Sequence, residues 1–179
     1  MKVRKQDSSQ ERRILTGMIV DRTILARISS KWDKGGLFRT KWCNLVGGWC
    51  VKFFNKYDKA PGRGIGSLFE LWAASHSDSE SSEMVGQFLA SLSGEFKHLA
   101  AEMNADHICD MAGEYFNQVR LENLAAEIQQ DIEAGEKDRA STRVTKFSRI
   151  ELGAGAGVDI LQDAEAIRTA FESKSEPII

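Results

Sequence analysis

Proline is almost absent from this chain of 179 residues: only Pro61 and Pro177 occur. Helices therefore meet few obligatory stops. Cysteine is as sparse. Cys43, Cys50 and Cys109 form an odd set without a CxxC pair, which argues against a disulfide framework and fits a reducing compartment. Cys43 and Cys50 would share one helix face about 10 Å apart, too far for a disulfide. The close four-ligand spacing of a structural zinc site is missing too. No run of about 18 apolar residues exists, so no membrane span is expected. The opening MKVRKQDSSQ is basic but carries no apolar stretch of the secretory kind, and the expected location is cytoplasmic. A formal charge of −2 excludes a wholly basic nucleic-acid binder but leaves room for a local basic patch. No Gly-Lys-Ser/Thr phosphate loop occurs anywhere, GAGAG at 153–157 included. Neither tight ATP binding nor any other cofactor is expected.

Alternation of the strand kind is nearly missing, and helical periodicity runs through most of the chain. The expected fold class is all-α. Hydrophobic residues make up 42%, enough for a core without staples. Ser8 or Ser9 can open a first helix, with Glu11 near its positive end. Ile14, Leu15, Met18 and Ile19 give it an apolar stripe. Asp21 is placed to cap a second short helix carrying Ile24, Leu25 and Ile28, so the two should meet at a sharp corner. Gly35-Gly36 marks a turn, after which Leu37 and Phe38 should plug the core. Thr40 can cap a broad central helix from about Lys41 to Tyr57, with Trp42, Leu45, Val46, Trp49, Cys50, Phe53 and Phe54. Gly47 and Gly48 lie inside it at a cost of about 1 kcal/mol each relative to Ala. Either a neighbouring helix comes close there or the helix hinges.

A short helix is expected around Leu68 to Ala74, then a polar loop over SHSDSESS, residues 75–82. A helix with Met84, Val85, Phe88, Leu89 and Leu92 follows, and another from Gly94 to Met103. Asn104 to Ala134 and Lys137 to Arg149 form a long helical hairpin turning at AGEKD. ELGAGAGVD, residues 151–159, reads as a linker, and DAEAIRTAFESK, residues 163–174, as one more helix. The expected division is a globular part over 1–103, a hairpin over 104–150, and a linker with its helix over 151–179.

Chemistry is thin. Glu95 and His98, with Glu102, Asp106 and Asp110 nearby, have the spacing of half a carboxylate-bridged di-iron site, but the second half is missing. A solvated charged face is the simpler account. His76, His98 and His107 lie in separate segments with no nucleophile at a recognisable spacing. Trp32, Trp42, Trp49 and Trp72 are expected as core or interface anchors. Lys2, Arg4, Lys5, Arg12 and Arg13 make the clearest basic cluster. Weak, salt-dependent DNA contact is the most they should give. Tyr115, Phe116, Val119, Leu124 and Ile128 put apolar residues on more than one hairpin face, and a second face is expected to pair with another copy.

The order of pieces resembles a known family. QERRILTGMIVDRTILARI, then GLFRTKWCNLVGGWCVKFFNKYDKAPG, then YFNQVRLENLAAEIQQDIEAGEKDRASTRVTKFSRI together resemble the amino-terminal domain of DnaB-family hexameric replicative helicases, over roughly residues 9–150. Lys41 and Trp42 stand where that family usually carries a histidine, a departure. The resemblance implies a non-catalytic assembly domain that pairs subunits through its hairpin and contacts primase or a helicase loader. The linker and its helix would lead to an ATPase domain beyond Ile179. A free-standing helicase loader or regulator of phage-like origin is the alternative, and an enzyme with a helical metal site at Glu95 and His98 the third reading. The reading frame past Ile179 separates the first two.

Overall fold

The computed structural model describes residues 8–33, 35–75, 78–99 and 103–153. They form an all-α protein: α1 (Ser8–Val20), α2 (Arg22–Ser29), α3 (Lys41–Tyr57), α4 (Ile65–Ser75), α5 (Ser79–Leu99), α6 (Ala105–Glu133) and α7 (Lys137–Lys146). A 3-10 turn, Gly62–Gly64, leads into α4.

The corner between α1 and α2 is set by Asp21. Its backbone is extended, and its side chain accepts from the Ile24 N–H at 2.9 Å. That leaves Ile14, Leu15 and Met18 of α1 and Ile24, Leu25 and Ile28 of α2 fully buried. Leu37 and Phe38 close over them, as their place after the glycine pair predicts. α3 adds Cys43, Val46 and Cys50. The Phe38 ring meets Phe116 edge-on at 5.3 Å.

α6 differs most from expectation. Its first half belongs to the head: Ile108, Cys109, Ala112, Tyr115, Phe116 and Val119 are all buried in the same core as α1 and α2. The boundary expected at 103–104 therefore does not separate two packing units; only the distal part of α6 pairs with α7 alone. Asn104 caps α6 by accepting from the His107 N–H at 3.0 Å. Gly135, at φ +80, makes the turn into α7. α7 ends at Lys146, earlier than Arg149.

The chain then runs back along α6. Asn117 binds the backbone of Ile150, and Ile150 and Leu152 enter the core. Leu152 thus packs into the core from within the stretch expected as a linker from residue 151. The rest of the expected linker, 154–159, and the helix expected at 163–174 lie outside the described residues. α5 also departs from expectation. It is one helix that starts inside the supposed polar loop and continues through Gly94. Its serine- and acid-rich start suits the positive end of a helix.

Candidate functional site

Glu11 is the most chemically conspicuous side chain, being almost fully buried. Its carboxylate accepts from the backbone N–H groups of Arg39 (2.7 Å) and Thr40 (3.1 Å). The Thr40 hydroxyl and the Tyr115 phenol also donate to it. Burial pushes the carboxyl up, but these bonds together outweigh it and hold Glu11 below the usual glutamate range. Burial, and then the Glu11 carboxylate, push the Tyr115 phenol up. Glu11 thus sits at the amino end of α3, where a negative charge meets the positive helix end. Thr40 is the first-turn boundary residue, as expected, but its side chain does not cap the helix. All four donors are bound to the fold itself, so the arrangement holds α1, α3 and α6 together.

The cysteines are equally withdrawn. Cys43, Cys50 and Cys109 are buried thiols, and burial is the leading cause that pushes each of them up. No group of three His, Cys, Asp or Glu able to hold a metal occurs among the described residues. Glu95, one arm of the supposed di-iron half-site, accepts from the Arg12 Nε at 2.9 Å. Asp106 accepts from Arg27 at 2.7 Å. Glu102 and the His98 side chain lie outside the described residues.

Of the basic cluster, Arg12 and Arg13 fall among the described residues. Lys2, Arg4 and Lys5 lie outside the described residues. Arg12 is engaged inside the chain: it binds Glu95 and the Ser91 hydroxyl and lies over the Phe88 ring. Arg12 thereby ties α1 to α5. Arg13 is partly buried on α1.

The proposed pairing residues separate in the same way. Tyr115, Phe116 and Val119 are 4%, 0% and 4% exposed. They have no surface left for a partner, because the head uses that face of α6. Leu124 and Ile128 are half-buried. Along the distal hairpin Leu121, Ile132 and Val144 stand out, at 51%, 51% and 55% exposed. Leu121, Leu124, Ile128 and Ile132 recur three, four and four apart, a stripe on the side of α6 opposite Phe116 and Val119. A polar clasp holds the hairpin shut. The buried Asp131 carboxylate accepts from Arg143 Nε at 2.6 Å, and Arg143 also binds Glu127.

The residues that sequence reasoning treated one by one converge on α3. The chain has four tryptophans, and Trp32, Trp42, Trp49 and Trp72 all line one open groove of about 870 Å³. Trp49 and Trp72 approach to 5.6 Å between ring centres. Lys41 lies over Trp42 at 4.9 Å. Trp32 fills the place of a side chain at Gly47, since a Cβ there would come within 2.6 Å of its ring. The close approach expected at the glycine pair is thus made by an indole. At Gly48 a Cβ would meet nothing within 4 Å. α4 flanks the groove without a single fully buried residue, and its Leu71 is 72% exposed. The spacing of Trp42, Leu45 and Trp49 on α3 was the available signal. The contributions of Trp32 and Trp72 come from other segments and leave no local trace. Compared with protein-family models, with curated proteins and with solved structures, the chain matches none of them.

Proposed function

We propose that this chain is a non-catalytic assembly and protein-interaction domain of the kind that opens DnaB-family replicative helicases. In that reading the hairpin pairs subunits and the head meets a primase or a helicase loader. The observation that carries it is the hairpin stripe. Leu121 and Ile132 lie half exposed on a helix whose opposite face is already buried. Such a stripe loses free energy in water at roughly 25 cal/mol per Å² of apolar surface, and a two-fold contact with the same stripe would cover it. The order of elements supports the same reading: two short helices at an acidic corner, a broad central helix, then a long hairpin.

Sedimentation equilibrium of the full chain tests it. A dimer with a dissociation constant on the order of tens of micromolar, about −6 to −7 kcal/mol, is expected. Leu121→Glu with Ile132→Glu should give a monomer with unchanged helical circular dichroism. A wild-type monomer at hundreds of micromolar would remove the case for pairing through the hairpin.

A further inference from the structure

We propose that the cavity between α1, the start of α4 and α5 binds a small amphiphilic carboxylate, an aliphatic chain that ends in an acid. The cavity measures about 670 Å³, within the range of small-molecule sites. Ile19 and Val20 of α1, Ile65 of α4, and Leu89, Leu92 and Phe96 of α5 line it. Three elements thus wall an apolar space.

The first pointer to a ligand is Thr16. It stands in the wall of this cavity and is 2% exposed. A threonine within a helix ordinarily donates to the carbonyl one turn back. Thr16 makes no such bond, and its hydroxyl has no other partner among the described residues. A buried hydroxyl without an acceptor is a loss of stability. Valine would fill the same shape, so packing gives no reason for the oxygen. Threonine in a helix divides between two side-chain rotamers, and rotation about that bond lets an oxygen inside the cavity accept from it.

The second pointer is charge. Arg63 is the one charged residue among the described residues that line the cavity. It is exposed and enters none of the ion pairs among the described residues. The acids of the neighbouring segments are bound elsewhere: Asp21 to the Ile24 N–H, Asp58 to Arg22, and Glu95 to Arg12. Glu70 lies one turn beyond Gly66 on α4, outside the lining. The site therefore offers an apolar body, one donor in the wall and one cation at the mouth, with no carboxylate among them. A guanidinium meets a carboxylate in two parallel bonds. A cationic amphiphile would find no counter-charge here, an uncharged one would leave Arg63 unserved, and a bare anion would leave the apolar walls uncovered. The proposal does not depend on pairing through the hairpin, none of whose residues line the cavity.

Calorimetric titration of the full chain tests it. The probe is octanoate, with octanol, octyltrimethylammonium and acetate as controls. Octanoate should saturate at one molecule per chain, with a dissociation constant on the order of hundreds of micromolar, and bind at least tenfold more tightly than each control. Thr16→Val should weaken octanoate at least fivefold while the unliganded protein melts higher than the wild type. Thr16→Ser keeps the hydroxyl and should bind within threefold of the wild type. Arg63→Glu should reverse the preference, so that octyltrimethylammonium binds more tightly than octanoate. The hairpin variant Leu121→Glu with Ile132→Glu should bind octanoate as the wild type does, so loss of pairing and loss of the ligand read separately. The proposal is overturned if octanol, acetate or octyltrimethylammonium binds as tightly as octanoate, if binding does not saturate at one per chain, or if Thr16→Val or Arg63→Glu leaves it unchanged.

Discussion

The side-chain amide of Asn117 satisfies the backbone of Ile150 twice: Nδ2 donates to its carbonyl at 2.8 Å, and Oδ1 accepts from its N–H at 2.7 Å. Both residues are buried, so this pair of bonds stands where water cannot substitute. Asn44 does the same for Phe38, donating at 2.6 Å and accepting at 2.8 Å. In each case a helix holds an irregular segment whose own polar groups need partners. Each segment also delivers an apolar side chain to the core.

Asn117→Leu should therefore destabilise the head by about 3 kcal/mol, since one donor and one acceptor lose their partners in a buried place. Urea unfolding followed by circular dichroism measures it. A loss below about 1 kcal/mol would mean that Ile150 is not held by this amide.

Gly47 and Gly48 should respond oppositely to alanine. Gly47→Ala drives a methyl against the Trp32 ring, which has a carbon 2.6 Å from where that methyl would sit, and should cost about 1 to 3 kcal/mol. Gly48→Ala meets nothing and should gain about 1 kcal/mol from helix propensity. Denaturation midpoints of the two variants against wild type decide the matter.

Glu11 should make stability depend on acidity. Its carboxyl lies below the usual range in the fold, whereas in the unfolded chain it titrates at about 4.3. Its contribution is then complete above that value and is lost as pH falls through the lower folded one. Glu11→Gln should cost about 2 kcal/mol at neutral pH, with the difference from wild type shrinking below about pH 4. Parallel stability curves for the two proteins across the acid range would show that Glu11 is not the group responsible.

Thr16 is buried in α1, and its hydroxyl has no hydrogen-bond partner among the described residues. Thr16→Val keeps the shape and removes the unsatisfied group. It should stabilise the protein by roughly 1 to 2 kcal/mol, read as a higher midpoint in thermal unfolding.

Much of the head was legible because its signals are local. Asp21, Asn104 and Gly135 each act within one turn of their own position, and Leu37 and Phe38 follow a turn that can only send them inward. α6 shows the limit. Its apolar positions continue along the whole helix, but the stripe changes sides between Val119 and Leu121. Periodicity reports that a face is covered and is silent about what covers it, so Tyr115 and Phe116 read as a partner's surface when they belong to the head's own core. Leu152 had no period to declare it, standing alone among glycines and alanines. The groove was illegible for a similar reason: Trp32 and Trp72 reach α3 from two other segments, and only packing unites them. Asn44 and Asn117 gave no sign, since a polar residue within a helix ordinarily faces water.

The core joins Ile14 to Leu152, so it is completed almost at the end of the described chain. During synthesis α1, α2 and α3 leave the ribosome well before the buried half of α6 exists to receive them. At about 5 to 20 residues per second, the stretch from Val20 to Val119 takes roughly 5 to 20 seconds to emerge. Until Val119 arrives, Ile14 and Leu15, and then Ile24 and Val46 as they emerge, lack the α6 side of their core. The apolar faces of the first three helices are fully covered only when α6 and the Ile150 segment arrive.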